Sequence, residues 1–189
     1  MTKELILSLI PGASEEQADK FIKYYELLIE WNGKMNLTAI TEEREVAEKH
    51  FADSLLPMEL IPQNARCIDV GTGAGFPGIP LMIMRQDITV TLLDSLNKRL
   101  IFLDEVIRAL GLEKSAKTLH MRSEDAGRAA AHRDAYDVAQ NAMNKLCLGA
   151  RLIEYPCAWG ERYVIAAKKL APTPKAYPRK AGTAGKLPL

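Results

Sequence analysis

The sequence predicts an α/β fold, in which a mostly parallel sheet is preceded by a helical extension and followed by an antiparallel hairpin. Short apolar runs alternate with helical stretches from residue 66 onward, which is the pattern of βαβ units. A glycine-rich turn, DVGTGAGFPG at residues 69–78, directly follows the first of these runs. We therefore expect a helical extension over residues 1–60 and a sheet domain over 61–189, packed as one compact unit.

Two amphipathic helices are predicted in the extension. Ser14 and Gln17 have the spacing of a capping box, in which each residue's side chain satisfies a backbone N–H of the other. Apolar residues follow at helical spacing over 18–29. A second helix is predicted to begin with Thr41 as its N-cap and to carry His50, Phe51, Ser54 and Leu55 on one side. We interpret His50 as a partly buried, hydrogen-bonded residue.

The sheet domain is predicted to contain four strands and a hairpin. The strands are expected at residues 67–70, 88–93, 116–121 and from 136 onward. A helix over 96–110 joins the second strand to the third, with Gly111 as its C-terminal cap. Two further strands over 150–155 and 162–167, joined by PCAWG at 156–160, predict the hairpin.

Composition excludes several classes of protein. The 189 residues are 48% hydrophobic and 26% charged, which is typical of a globular domain. Three cysteines without C-x-x-C spacing and three scattered histidines predict neither a disulfide framework nor a metal site. The longest apolar runs are much shorter than the roughly 20 residues that span a bilayer. We therefore expect a cytoplasmic protein with no membrane partner.

The charge is unevenly distributed along the chain, although the net charge is only +1. Glu161 is the last acidic residue, and seven basic residues follow it. We call residues 162–189 the basic arm. Such an arm is either a contact surface for nucleic-acid phosphates or a solvated tail.

The glycine-rich turn predicts a ligand at the carboxyl edge of the sheet, because glycine lets the backbone approach a ligand closely. A plain tight turn is the alternative. Pro77 removes an N–H donor where a bound phosphate would need one, which favours a ligand without phosphate. Asp94, at the end of the next strand, has a carboxylate that can accept both hydroxyls of a ribose, as in NAD or S-adenosylmethionine. It can also serve as a helix N-cap.

Five motifs in order resemble one family. They are WNGKMNLTAI at 31–40, HFADSL at 50–55, DVGTGAGFPGIP at 69–80, LDSLNKR at 93–99 and YPRKAG at 177–182. Together they resemble the bacterial small-subunit ribosomal RNA guanine-N7 methyltransferases, also called the glucose-inhibited division protein B family. The resemblance runs from the first helix to the C-terminus and is specific because all five motifs occur in order.

The resemblance implies a Rossmann-like class I fold that uses S-adenosylmethionine to methylate one guanine of 16S ribosomal RNA. Carried over by motif, the cofactor contacts are Gly71, Gly73, Phe76, Asp94, Ser123 and Glu124. For Phe76 the alternative is that its ring only fills the crevice beneath the ligand. For Ser123 and Glu124 a simple helix start is an equally good interpretation. Hypothetical RNA contacts are Lys98, Arg99, Lys168, Lys175, Arg179 and Lys180. For Lys98 and Arg99 a solvated helix face is at least as good an interpretation. We expect a monomer that acts on the small ribosomal subunit or its RNA.

The chain departs from the family pattern after its fourth strand. The family continues into a segment with an arginine near the cofactor, then a helix and a fifth strand. Here residues 137–139 run directly into QNAM at 140–143, which resembles the helix after that segment. Losing a buried strand would leave ladder hydrogen bonds unpaired. We therefore expect a segment of a few dozen residues to be missing from this sequence near Ala139 and again near Cys147.

Methyl transfer to guanine N7 needs no general base, because N7 already has a free lone pair. Catalysis would then come from orienting two reactants, and we predict no residue that transfers a proton. Two other functions stay open. One is an NAD-dependent oxidoreductase with Asp94 in the same ribose role, and the other is a non-catalytic ribosome- or RNA-binding module that keeps the fold.

Overall fold

The protein has seven α-helices, a π-helical segment, a 3₁₀ turn and six strands over its described residues. The structure, a computed structural model, describes residues 1–133, 135–140 and 150–167. In the extension the helices are α1 (Lys3–Leu9), α2 (Glu15–Asn32), α3 (Glu43–Val46), a π-helical segment (Ala47–Ala52) and α4 (Asp53–Leu55), then a 3₁₀ turn (Met58–Leu60). The rest comprises β1 (Arg66–Val70), α5 (Gly78–Met84), β2 (Thr89–Asp94), α6 (Asn97–Ala109), β3 (Ala116–His120), α7 (Ser123–Arg128), β4 (Val138–Gln140), β5 (Ala150–Cys157) and β6 (Gly160–Ala167).

Strands β1 to β4 form one parallel sheet in the order β3-β2-β1-β4. Val70 pairs with Leu93, and Leu93 pairs with Leu119. The first three strands therefore end side by side. Every predicted cofactor contact lies at this carboxyl edge, because Asp94 is the last residue of β2 and the others follow β1 or β3.

Strands β5 and β6 form a separate antiparallel pair. The pairing runs from Ala150 opposite Ala167 to Cys157 opposite Gly160. The predicted hairpin is confirmed, but its strands extend further toward the turn than the sequence indicated, so that the connection shrinks to Ala158 and Trp159.

The hydrophobic core is shared between the extension and the sheet domain. One cluster of buried side chains includes Ile6, Phe21, Phe51, Ile79 and Leu103. A smaller cluster, with Ile68, Leu93 and Ala126, packs on the opposite face of the sheet. Neighbouring strand residues face the two clusters alternately, as a period of two requires.

Of the two helix starts predicted in the extension, the structure confirms one and corrects the other. The capping box is confirmed, since the Ser14 hydroxyl accepts from the Gln17 N–H and the Gln17 carboxamide accepts from the Ser14 N–H. The predicted Thr41 cap is wrong. Glu42 caps α3 with its carboxylate, which accepts from the backbone N–H of Glu45 at 2.8 Å. A carboxylate can replace a hydroxyl there because both accept a hydrogen bond from the first turn.

Candidate functional site

The glycine-rich turn is attached to the end of β2. The N–H groups of Gly71 and Thr72 both donate to the carbonyl of Leu93, at 2.8 and 3.0 Å. The N–H of Gly73 donates to the Asp94 carboxylate at 3.0 Å. The turn therefore lies across the carboxyl ends of β1 and β2.

Asp69 holds the turn from inside. Its carboxylate is fully buried and accepts from the Thr72 hydroxyl at 2.7 Å and from the N–H of Gly78 at 3.1 Å. These bonds close the turn onto the start of α5. The first residue of the motif is thus a structural acceptor, which satisfies two donors that would otherwise be buried without a partner.

The four glycines of the turn divide into two pairs. Gly71 and Gly73 have φ of +74° and +60°, and a Cβ on either would meet nothing closer than 3.9 Å. Gly75 and Gly78 are buried, and a Cβ on them would lie 2.8 Å from the Leu103 side chain and 2.4 Å from that of Leu92, respectively. Gly71 and Gly73 border open space, whereas Gly75 and Gly78 are required by packing.

Tyr24, from α2, supports the turn and was not predicted from the sequence. Its hydroxyl donates to the Ala74 carbonyl at 2.5 Å, and its ring is fully buried. Burial, with the nearby Asp69 carboxylate, raises the pKa of Tyr24 well above its ordinary value, so the hydroxyl keeps its proton. A tyrosine at a helical core spacing carries no signal that it will reach this turn.

Asp94 is 2% exposed and already has three protein donors. One carboxylate oxygen accepts from the Leu96 N–H at 2.8 Å. The other accepts from Gly73 and from the Arg99 guanidinium, the latter at 3.3 Å. Leu96, not Asp94, is the N-cap of α6, so the alternative of a helix cap is wrong. A carboxylate has about four acceptor positions, so a ribose would share this one with protein donors.

Ser123 and Glu124 are the first two residues of α7, after β3. The Ser123 hydroxyl donates to the Glu124 carboxylate at 3.1 Å. The backbone N–H of Glu124 and this hydroxyl lower the pKa of Glu124. Both residues therefore start a helix, as one interpretation held, and they do so at the edge that carries the turn and Asp94.

Phe76 belongs to an aromatic cluster that we define as Phe21, Tyr24, His50, Phe51 and Phe76. Its ring stacks on the imidazole of His50, with centroids 4.5 Å apart and an interplanar angle of 16°. The other ring distances within the cluster are 5.0 to 6.2 Å. Phe76 therefore meets the extension on one side.

His50 is half-buried and hydrogen-bonded, as the sequence predicted. Its Nε2 lies 2.8 Å from the Thr38 hydroxyl oxygen. Burial lowers the pKa of His50, against smaller opposing effects of the Lys49 backbone and the Asp53 carboxylate. The imidazole is therefore neutral near pH 7.

The predicted RNA contacts fall into two groups. Lys98 is exposed on the first turn of α6, while Arg99 is half-buried and forms the ion pair with Asp94. The predicted contacts of the basic arm, Lys168, Lys175, Arg179 and Lys180, lie outside the described residues.

Asp53, in the HFADSL motif, accepts hydrogen bonds from two side chains of the hairpin. Its two oxygens accept from the Trp159 indole N–H at 2.7 Å and from Arg162 Nε at 2.6 Å. Nothing in the sequence indicated this pairing, because more than a hundred residues separate the partners. It connects the start of the basic arm to the helix that carries His50.

Within residues 1–133, 135–140 and 150–167, no group of acidic, histidine or cysteine side chains has the arrangement of a metal site. In the same part of the chain, no helix combines the length and apolar character needed to cross a bilayer.

A family model described as rRNA small subunit methyltransferase G matches residues 17–144. The protein named ribosomal RNA small subunit methyltransferase G from Desulforamulus reducens is 42% identical, over 93% of this chain and 92% of its own length. Its namesake from Brevibacillus brevis is 35% identical over the whole of both chains. That alignment spans 238 positions against 189 residues here, so 49 positions have no counterpart in this chain.

A solved structure shows a similar fold. It is a putative protein-L-isoaspartate O-methyltransferase from Plasmodium falciparum, in complex with S-adenosyl-L-homocysteine. The TM-score is 0.50 with 14% identity, covering 88% of this chain and 89% of that one. The likeness supports a class I methyltransferase fold.

Proposed function

The chain belongs to the rRNA small subunit methyltransferase G family, and we propose that it methylates N7 of one guanine in 16S ribosomal RNA. It is an S-adenosylmethionine-dependent rRNA methyltransferase, as the family and the methyltransferase fold together indicate. No finding favours an oxidoreductase or a non-catalytic module. The observation that supports use of the cofactor is the open side of the glycine-rich turn, where Gly71 and Gly73 border open space and the Gly73 N–H is bonded to the Asp94 carboxylate.

The residues at this edge fit S-adenosylmethionine. Gly71 and Gly73 leave room where a Cβ would otherwise project, so that the cofactor can approach the backbone. Asp94 is held in place for a ribose hydroxyl by the N–H groups of Gly73 and Leu96. We assign cofactor contacts to Gly71, Gly73, Phe76, Asp94, Ser123 and Glu124. When bound, the cofactor supplies a methyl group on a positively charged sulfur.

The protein contributes orientation to the reaction. The transfer would require guanine N7 to lie in line with the bond between the cofactor's methyl group and its sulfur, and N7 would need no deprotonation because its lone pair is free. Holding two reactants in this geometry supplies roughly 7–11 kcal/mol in favourable cases. The fixed turn, tied to Leu93, Asp69 and Tyr24, is suited to that task because it does not have to reorganise.

Contacts to RNA phosphates are proposed for Lys98 and Arg99 and, in the basic arm, for Lys168, Lys175, Arg179 and Lys180. Lys98 projects from the first turn of α6, close to the cofactor edge. The described part of the basic arm, residues 162–167, belongs to β6, where Arg162 is bound to Asp53. We propose further that the protein acts as a monomer in the cytoplasm, on the small subunit or its RNA.

The test is methyl incorporation from labelled S-adenosylmethionine into naked 16S ribosomal RNA and into small subunits, with the modified nucleotide mapped by mass spectrometry. We expect one methyl group, on guanine N7. Calorimetry should detect binding of S-adenosylmethionine and not of NAD. Methylation at another atom would contradict the N7 assignment, and binding of NAD alone would contradict the proposal as a whole.

The basic arm is tested by replacing Arg179 and Lys180 with alanine. RNA binding should weaken, and the dependence of log K on log salt should become less steep by about 1.4–1.8, because each of the two phosphates that the protein no longer neutralises reduces the slope by roughly 0.7–0.9. Cofactor affinity should stay unchanged. Equal RNA affinity of both proteins at several salt concentrations would refute a role for these two residues.

A further inference from the structure

Three rings of the extension, those of Tyr24, His50 and Phe51, pack against Phe76 of the glycine-rich turn. Phe21, Tyr24 and Phe51 of the aromatic cluster are fully buried, whereas His50 and Phe76 are half-buried. The three buried rings are thus core residues, and the other two stand at the rim of the core. Only Phe76 comes from the glycine-rich turn, so the orientation of its ring depends on what the extension places against it.

The backbone around His50 is unusual. His50 and Phe51 lie in the π-helical segment, and both rings face Phe76, with centroid distances of 4.5 and 6.2 Å. Short π-helical insertions are rare and are often found at functional sites.

A separate set of hydrogen bonds fixes the imidazole. The Asn32 side-chain oxygen accepts from the N–H groups of Leu37 and Thr38, at 2.8 and 3.0 Å. The Thr38 hydroxyl oxygen then accepts from the Ile40 N–H at 3.0 Å and is hydrogen-bonded to His50 at 2.8 Å. The loop after α2 is therefore folded so that one hydroxyl group holds the His50 ring.

We propose that His50 is a positioning residue of the cofactor site, whose imidazole, held by Thr38, fixes the Phe76 ring in the orientation that meets S-adenosylmethionine. The inference rests on the proposed function, in which Phe76 contacts the cofactor. His50 itself takes no proton from the substrate and touches no reacting atom. Its effect is on cofactor affinity, and the rate at saturating cofactor stays close to that of the wild type.

The test measures the affinity of the full chain for S-adenosylmethionine by calorimetry, and KM and kcat by methyl incorporation. Phe76→Ala examines the proposed contact itself and should weaken binding about tenfold or more. His50→Ala should weaken binding of S-adenosylmethionine roughly three- to tenfold, which is the range for removal of one aromatic pair. The KM for S-adenosylmethionine should rise, while kcat should change less than about threefold. His132→Ala is the matched control, since it removes a histidine that stacks on Tyr136 outside the cluster.

Two milder variants keep the ring contact. His50→Phe removes only the hydrogen bond to Thr38, whereas Thr38→Val removes that bond and also the one that the Thr38 hydroxyl accepts from the Ile40 N–H. His50→Phe should weaken binding by about threefold and Thr38→Val by at least as much, and the double variant should be no worse than Thr38→Val alone, because the shared bond can be lost only once. Thr38→Ser should restore wild-type affinity. These variants decide the matter even if His50→Ala fails to fold.

The outcomes separate the inference from the proposed function. Wild-type affinity of Phe76→Ala would overturn both the contact and the inference. Weak binding by Phe76→Ala together with wild-type binding by His50→Ala would overturn the inference alone. Additive losses in the double variant, or a fall in kcat at unchanged KM, would also overturn it.

Discussion

The two kinds of glycine in the turn respond differently to the same substitution. In Gly75→Ala the new Cβ would lie 2.8 Å from the side chains of Ile79, Leu103 and Tyr24, all of them buried. Overpacking of this kind costs about 1–3 kcal/mol. The φ of +102° adds backbone strain of about 1–2 kcal/mol. We therefore expect the free energy of unfolding to fall by roughly 2–5 kcal/mol.

Gly73→Ala is the matched control. Its φ is +60°, and the nearest atom to a new Cβ is the Gly71 carbonyl oxygen at 3.9 Å. The expected loss of stability is therefore only the backbone strain of about 1–2 kcal/mol. The methyl group instead projects into the space assigned to the cofactor, so affinity for S-adenosylmethionine should fall about tenfold or more, because the cofactor can no longer approach the backbone closely.

Thermal unfolding and calorimetry measure the two effects. For a chain of this size each kcal/mol lowers Tm by about 2–4 °C, which gives roughly 5–15 °C for Gly75→Ala and a few degrees for Gly73→Ala. The stability loss should be larger in the first variant, whereas the second, still folded, should lose more affinity. Equal Tm losses, or a Gly73→Ala variant with wild-type cofactor affinity, would refute the division of the glycines.

Three other predictions follow from single contacts. Asp53→Ala should free the Trp159 indole, so that its emission shifts to longer wavelength and iodide quenches it more; an unchanged spectrum would argue against the hairpin contact. Arg85 holds the pKa of Asp87 far below its ordinary value, so the folded protein releases this proton more readily than the unfolded chain. The stability from this pair is present at pH 7 and is lost as the pH falls below about 4. Asp87→Asn should therefore be less stable in urea at pH 7, with a smaller difference from wild type at pH 3, and a difference that does not vary with pH would contradict this. Burial raises the pKa of Cys67 to about 11, so thiol reagents at pH 8 should label it only after unfolding, and rapid labelling of Cys67 in the native protein, located by peptide mapping, would show its burial to be wrong.

The sequence predicts elements well where the signal is local. The capping box at Ser14, the three strands that end at the carboxyl edge, and Gly111 after α6 all follow from neighbouring residues, and Gly111 has the φ of +67° that a C-terminal cap needs. Helix α1 was missed, although Thr2 caps it through its hydroxyl. A seven-residue helix has too few turns for periodicity to show.

Features that depend on distant residues were not predictable. The glycine spacing in GTGAGFPG does not reveal that Gly75 faces Leu103 and Tyr24 while Gly73 faces open space. The sequence also does not reveal that Arg99, predicted as an RNA contact, forms an ion pair with Asp94, although only five residues separate them. The segment that we predict to be missing near Ala139 stays a prediction. Strand β4 runs through Ala139 and Gln140 without interruption, whereas the alignment with the Brevibacillus brevis protein leaves 49 positions without a counterpart in this chain.

The predicted boundary at residue 60 marks a change of sequence pattern, but the hydrophobic core extends across it. Periodicity switches there because a parallel sheet buries its strands on both faces, whereas the helices of the extension bury only one. Yet Phe21 and Phe51 lie in the same cluster as Ile79 and Leu103. The extension also supplies the hydroxyl of Tyr24 to the glycine-rich turn and the ring of His50 to Phe76. The sheet domain alone would therefore lack two of the contacts that hold the glycine-rich turn in place, so the extension and the sheet domain share one core and support this turn together.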